Sequence, residues 1–304
     1  MNWMEELFAL IQNTLLQGVQ VHLGVMITMT GVILLCALLR NFDIGTKGDG
    51  IAQSAFLVEY GCIALLVGQS VLYAKELAQS ALANMTTALN TAAPVLLVTA
   101  PGMGTAFLLA TEIVGNGFQL IFLPATVLLA TISLINHLST AISISQFVEF
   151  LKKIVFWGLG LVMTVYLGIL SVQSCFAAAE GTAAHKTAKF AVGAWPVVGQ
   201  YLAESFDAVS ASAAVIHTTT GTGAMIAVLT LCIAPALELL LLAGLLKLVS
   251  ALTQPVAESR VCNCISSVSA AISFMAGLLA VCAVMLTITI GMLLLVINKG
   301  KGGG

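Results

Sequence analysis

Val268-Ser-Ala-Ala-Ile-Ser-Phe-Met-Ala-Gly277-Leu-Leu-Ala-Val-Cys-Ala-Val-Met-Leu-Thr287-Ile-Thr-Ile-Gly-Met-Leu-Leu-Leu-Val-Ile297 is the stretch that decides the fold, and it holds no charged residue. A helix needs about 20 apolar residues to cross the hydrocarbon core of a bilayer. This run exceeds that and can cross with tilt. The same pattern recurs in Val21–Leu39, Ile51–Tyr73, Leu120–Ile135, Ile154–Phe176 and Ala224–Leu246. The reading is an all-α polytopic membrane protein with about six transmembrane helices, residues 1–304 forming a single integral membrane domain.

Composition points the same way. The chain is 60% hydrophobic and 8% charged, with a formal net charge of -2. A soluble domain carries about 25% charged residues. No basic cluster is dense enough for nucleic acid, so no nucleic-acid partner is expected. The seven cysteines lie mostly inside apolar runs, where they serve as small packing residues. Cys262-Asn-Cys264 is a close pair without a second Cys or His cluster nearby, so no metal site is expected. The first residues, Met1-Asn-Trp-Met-Glu-Glu, do not read as a secretory signal, because Glu5 and Glu6 stand where Lys or Arg would be needed.

Three segments fall outside clean spans. Residues 1–20 place Trp3, Leu7, Leu10, Ile11 and Leu15 near helical spacing, which predicts an amphipathic helix, interfacial or packed on the bundle. Residues 76–118 begin with Gln79, Ser80, Asn84, Thr86, Thr87 and Asn90 and continue through Pro94–Pro101. They read either as a hairpin that does not fully cross or as two spans. Residues 177–222 contain Thr187-Ala-Lys-Phe-Ala-Val-Gly193-Ala-Trp-Pro196-Val-Val-Gly199. That segment is too apolar for a solvated loop and too broken for one span. Irregular backbone at membrane depth is tolerated where protein buries it or water lines it.

Ionisable groups inside spans are expensive and are therefore functional candidates. Glu59 is expected near the middle of its span, and Glu238 follows Pro235 by three residues. Glu112 and His137 sit at span ends, where the cost is small. The plainer reading of all four is a polar group facing the bundle interior and hydrogen-bonded there. Enzyme templates fail. There is no His-Glu-x-x-His, no Gly-x-Ser-x-Gly, and neither Gly102-Met-Gly104 nor Gly221-Thr-Gly223 continues into a phosphate loop. The expectation is a protein without catalytic residues or a cofactor. Small residues such as Gly158, Gly160, Ala276 and Gly277 suit close helix packing within a bundle or a homo-oligomer in membrane lipid.

With six crossings, Arg40, Lys47, Lys152, Lys153, Lys247 and Arg260 fall on one side and Lys75, Lys186, Lys189, Lys299 and Lys301 on the other. The positive-inside rule then favours the first side as cytoplasmic, with both termini and residues 177–222 outside.

Thr187–Gly193 with Pro196–Gly199 resembles the signature loop of the stage III sporulation protein AE family. Other matching pieces occur in the same order: Leu35-Cys-Ala-Leu-Leu39, Tyr73-Ala-Lys-Glu76, Ala93-Pro-Val-Leu-Leu97, Leu151-Lys-Lys-Ile154, Trp157-Gly-Leu-Gly160, Gly168-Ile-Leu-Ser-Val-Gln173, then Lys247, Gln254-Pro255 and Arg260. The resemblance implies a sporulation-operon protein of endospore-forming bacteria, in the mother-cell membrane that surrounds the forespore. It implies partners among the other membrane proteins of that operon and a forespore protein. Together these form a transenvelope channel similar to specialised secretion systems. Members of the family usually begin with a cleavable signal, unlike these first residues. On this reading Thr187, Lys189, Phe190, Gly193, Pro196 and Gly199 form a candidate functional loop, with Lys189 electrostatic, Gly193 and Gly199 flexible, and Pro196 the break. The plainer alternative for the loop is a packing hinge. For the whole chain, the alternatives are a stand-alone small-molecule permease or a non-conducting scaffold for the other subunits.

Overall fold

The computed structural model describes residues 3–42, 49–99, 115–138, 144–177 and 221–301. Among them every regular element is helical. Helix α1 is Trp3–Phe42, α2 Asp49–Thr99, α3 Leu123–Asn136, α4 Ser145–Ala177, α5 Gly221–Thr253 and α6 Ser259–Lys301. A π-helical turn, Phe118–Phe122, leads into α3. Six of the described stretches are long and apolar enough to cross a membrane: Ile11–Leu38, Phe56–Ala88, Gly115–Asn136, Ser145–Gly168, Leu231–Thr253 and Ser259–Thr287. That agrees with the six expected from hydropathy.

The helices are longer than the apolar runs that announce them. Residues 3–20 are the first half of α1, in one 40-residue helix with the first span. In α1, His22, Met26, Met29, Ile33 and Cys36 are buried at steps of three and four, so one continuous stripe faces the bundle. Residues 76–99 likewise continue α2, a helix of 51 residues, in place of a new hairpin arm. The polar residues there do not interrupt the helix, because Ala78, Ala81, Leu82 and Met85 keep its inward stripe apolar. Thr86 and Thr87 also donate to the carbonyls one turn back, at 2.8 and 2.9 Å. Thr187–Gly199 and Glu112 lie outside the described residues.

The chain divides into two compact units. The first comprises Met1–Ala78, Leu123–Lys153 and Ala234–Gly277, and the second Gln79–Phe122, Ile154–Ile233 and Leu278–Gly304.

In the first unit, α6 is the central element, with Val261, Cys264, Ile265, Val268, Ala271 and Ile272 fully buried or nearly so. Helices α5 and α6 form an antiparallel pair around a tight turn. Pro255 ends α5, and Val256 and Ala257 donate backbone hydrogen bonds to the Thr253 carbonyl at 3.0 and 2.8 Å. Beyond the turn the pair is tied at three successive levels. Ser250 donates to the Cys262 carbonyl at 2.9 Å, Lys247 Nζ to Ser266 Oγ at 3.1 Å, and Ser269 to the Ala243 carbonyl at 2.8 Å. Polar side chains that bond across helices are one of the few directional forces between them in lipid.

In the second unit, the π-helical turn packs Phe118 against Phe122, ring centroids 5.5 Å apart. A Cβ on Gly158 of α4 would stand 3.0 Å from Phe122 Cε1, so a larger residue there would press on the Phe122 ring. Tyr166, fully buried, donates its hydroxyl to the Met285 carbonyl at 2.9 Å and pins α4 to α6.

Candidate functional site

Three helices of the first unit bring their ionisable or polar side chains to one place. His22 comes from α1, Tyr73 from α2 and Glu238 from α5. The Tyr73 hydroxyl donates a hydrogen bond to Glu238 Oε1. The His22 ring meets Tyr73 edge-on, centroids 5.0 Å apart and planes at 80°. His22 is 5% exposed, and its Nε2 is buried without a hydrogen-bond partner among the described residues. Gly18, one turn before His22, lets α1 close on α5: a Cβ there would lie 3.3 Å from Leu241 and 4.0 Å from Glu238 Cγ. Pro235 lies inside α5 one turn before Glu238. It removes a backbone donor there and loosens the helix locally.

Depth makes the cluster unusual. Each of the three residues lies within about 6 Å, along the axis, of the centre of the described part of its apolar stretch, at 1.5 Å per residue. Other ionisable residues of these stretches are few. Ile11–Leu38 offers only His22 among Asp, Glu, Lys, Arg and His, Phe56–Ala88 adds Glu59, Lys75 and Glu76, and Leu231–Thr253 adds Lys247. Lys75 is half-buried and Glu76 exposed, just past Tyr73 on α2. A carboxyl, a phenol and an imidazole this deep can take up, hold or pass a proton where bulk water is scarce.

The structure treats the two carboxylates singled out from sequence differently. Glu238 is at the cluster. Glu59 is 1% exposed and lies ten residues after Asp49, in the first quarter of the 51-residue α2 rather than near its middle. The expected span was cut short at Tyr73, whereas the helix and its apolar character run on to Ala88. Glu59 belongs to a second group near the α5–α6 turn, within coulombic reach of Cys36 and Cys262. Next to it, the Tyr60 hydroxyl donates to the Leu134 carbonyl, with Cys264 Sγ 3.4 Å away. Arg260 closes this end, 3.0 Å from Glu258 and 4.8 Å above the Phe56 ring. Lys75 lies within α2 rather than in a loop, which removes it from the charge count of the side assigned outside.

His137 follows α3 and touches Ser267 Oγ through Nε2 at 3.1 Å. Burial, and secondarily the nearby Lys152, hold its pKa below the ordinary histidine value. The unfolded chain therefore takes up this proton first. Stability is level above the ordinary histidine range and falls as pH drops through it. Between pH 7 and 5 the thermal midpoint of the detergent-solubilised protein is expected to fall further for wild type than for His137→Gln, which keeps a partner for Ser267 but cannot titrate. Equal falls would remove His137 from the account.

His22 and Tyr73 were not singled out by sequence. Their signal is faint: a lone histidine inside one span and a tyrosine inside another, both meeting the glutamate beside a helix-breaking proline.

The chain is 25% identical over 295 residues to stage III sporulation protein AE of Bacillus subtilis (strain 168), covering 93% of this chain and 72% of that protein. No solved structure matches. The profile of the stage III sporulation protein AE family matches residues 2–296. The chain belongs to the stage III sporulation protein AE family.

Proposed function

We propose that this chain is a non-enzymatic membrane subunit of a channel complex joining mother cell and forespore, set in the mother-cell membrane around the forespore. The observation that carries the reading is the family match across nearly the whole chain, which ties a six-span protein to sporulation. The deep His22–Tyr73–Glu238 cluster supports it. Ionisable groups inside spans are costly and mark solute or proton paths. The partners are the other membrane proteins of the sporulation operon and further copies of this chain. Thr187–Gly199 would serve as a docking element outside the cytoplasm. Removing Lys75 from the outer side strengthens that orientation.

The test is isolation of the affinity-tagged full-length protein from sporulating cells. Co-isolation of the operon's other membrane proteins, with spore formation blocked in a deletion strain, is the expected result. Normal spore counts without the protein would overturn the proposal. A second reading, a stand-alone permease, draws on Pro235 interrupting α5 beside Glu238. It predicts solute flux in liposomes holding this protein alone.

A further inference from the structure

Between Val261 and Ile272, α6 leaves only Asn263 exposed and only Ser266, Ser267 and Ala270 half-buried. Steps of three and four set these residues on one side of the helix. The strip is polar over its first three residues, and cations border it. Lys247 of α5 donates from Nζ to Ser266 Oγ at 3.1 Å. His137, just past α3, touches Ser267 Oγ through Nε2 at 3.1 Å. Lys152 of α4 stands close enough to His137 to act on its charge. Four elements of the first unit thus bring two lysines, an imidazole and two hydroxyls to one shallow cleft.

The charge of the cleft is not neutralised from within. Arg260 pairs with Glu258 at 3.0 Å, but among the described residues neither Lys152 nor Lys247 is ion-paired. Glu149, one turn before Lys152 on α4, is exposed and pairs with neither lysine.

Depth says which anion meets these cations. Lys247 lies nine residues past Glu238 on α5, about 14 Å along the axis. Half of the hydrocarbon core is about 15 Å thick. With Glu238 near the centre, the cleft stands where acyl chains end and phosphates begin. Water there satisfies hydroxyls but does not balance charge. Toward the centre, the same side of α5 continues as Gly244 and Leu240, both exposed. A headgroup on Lys247 therefore has apolar surface directly beneath it for its chains, which a free phosphate does not use.

We infer that this cleft holds the phosphate of an anionic membrane lipid, with Lys247 and Lys152 on the charge, Ser266 and Asn263 as further hydrogen-bond partners, and an acyl chain along Gly244 and Leu240. Basic pockets between membrane helices on the cytoplasmic side bind such headgroups. The positive-inside count assigns this end of the bundle to the cytoplasm. The bound lipid bridges α5 to the α3–α4 end of the unit, whatever complex the chain joins.

The test is native mass spectrometry of the purified full-length protein in detergent, titrated with phosphatidylglycerol or phosphatidylcholine. Retention of phosphatidylglycerol in clear preference to phosphatidylcholine is expected. Lys247→Gln and Lys152→Gln should each weaken that binding at least about fivefold. Lys247→Arg, which keeps the charge, and Lys153→Gln, on the neighbouring exposed lysine of α4, should bind within about twofold of wild type. Thermal midpoints without added lipid check that each variant is folded. Equal retention of both lipids would overturn the inference. So would equal weakening by Lys153→Gln, since the attraction would then be diffuse and not a site. Displacement of the lipid by inorganic phosphate at the same concentration would overturn the lipid as occupant.

Discussion

Glu238→Leu is expected to lower the amount of folded protein and the yield of spores sharply, while Glu238→Gln does so mildly. The leucine removes the acceptor of the Tyr73 hydroxyl and leaves a half-buried donor deep in an apolar stretch. An orphaned buried donor costs about 1–3 kcal/mol. Glutamine keeps an acceptor oxygen for the Tyr73 hydroxyl and replaces the other carboxyl oxygen by an NH2 group. The compensating variant separates the two effects. Tyr73→Phe together with Glu238→Leu takes away both partners, and replacing both by apolar groups is nearly neutral for stability. The double variant should therefore recover protein level relative to Glu238→Leu alone. If spore yield stays low while protein level recovers, the proton-bearing chemistry of the cluster is needed beyond packing. Failure of protein level to recover would mean that Tyr73 and Glu238 are not energetically coupled.

The second large effect lies in the other unit. Tyr166→Ala is expected to cost about 3 kcal/mol or more, the usual range for truncating a buried aromatic. Tyr166 is fully buried and its hydroxyl donates to the Met285 carbonyl at 2.9 Å. The variant loses the ring's packing and the link between α4 and α6 together. The loss matters more here than on other helices, because among its described side chains α4 buries only Val148, Val155 and Tyr166. Tyr166→Phe should lose only the hydrogen bond, about 1 kcal/mol. Thermal midpoints of the purified variants in detergent, ranked wild type, Phe, Ala, would confirm the order. An alanine variant as stable as wild type would show that α4 is held by other contacts.

Sequence made the architecture legible and the site only partly so. Six apolar runs were visible because each carries at most one charged residue, and Val268–Ile297 carries none over more than a membrane thickness. Helix continuity was not visible. Glu5, Glu6, Gln12 and Asn13 made the start of α1 look separate, and Gln79 to Asn90 made the second half of α2 look like part of a partial hairpin or of a further span. Gln12 and Asn13 of α1 and Gln79, Ser80, Asn84 and Asn90 of α2 are exposed, so they leave the buried stripe of the described residues unbroken. Glu59 was expected near the middle of a span ended at Tyr73, whereas α2 runs on to Thr99. Glu238 stood out because a carboxylate beside Pro235 is rare in a span. Its partner could not be found by pattern, because Tyr73 and Glu238 are 165 residues apart and meet only through the fold. His22 showed no motif at all. Its meaning comes from Gly18, which lets α1 approach Leu241 closely enough to bring the imidazole beside Tyr73.

The meeting of α1 with α5 at the depth of the cluster is what the account depends on most. Cysteines placed at Gly18 and Leu241, in a chain without native cysteines, test it by oxidative cross-linking in membranes and mass spectrometry of the digest. The account predicts a linked peptide pair for Gly18→Cys with Leu241→Cys, and none when the second cysteine is moved to Leu248, two turns along α5. Cross-linking at the distant pair and not at Leu241 would contradict it.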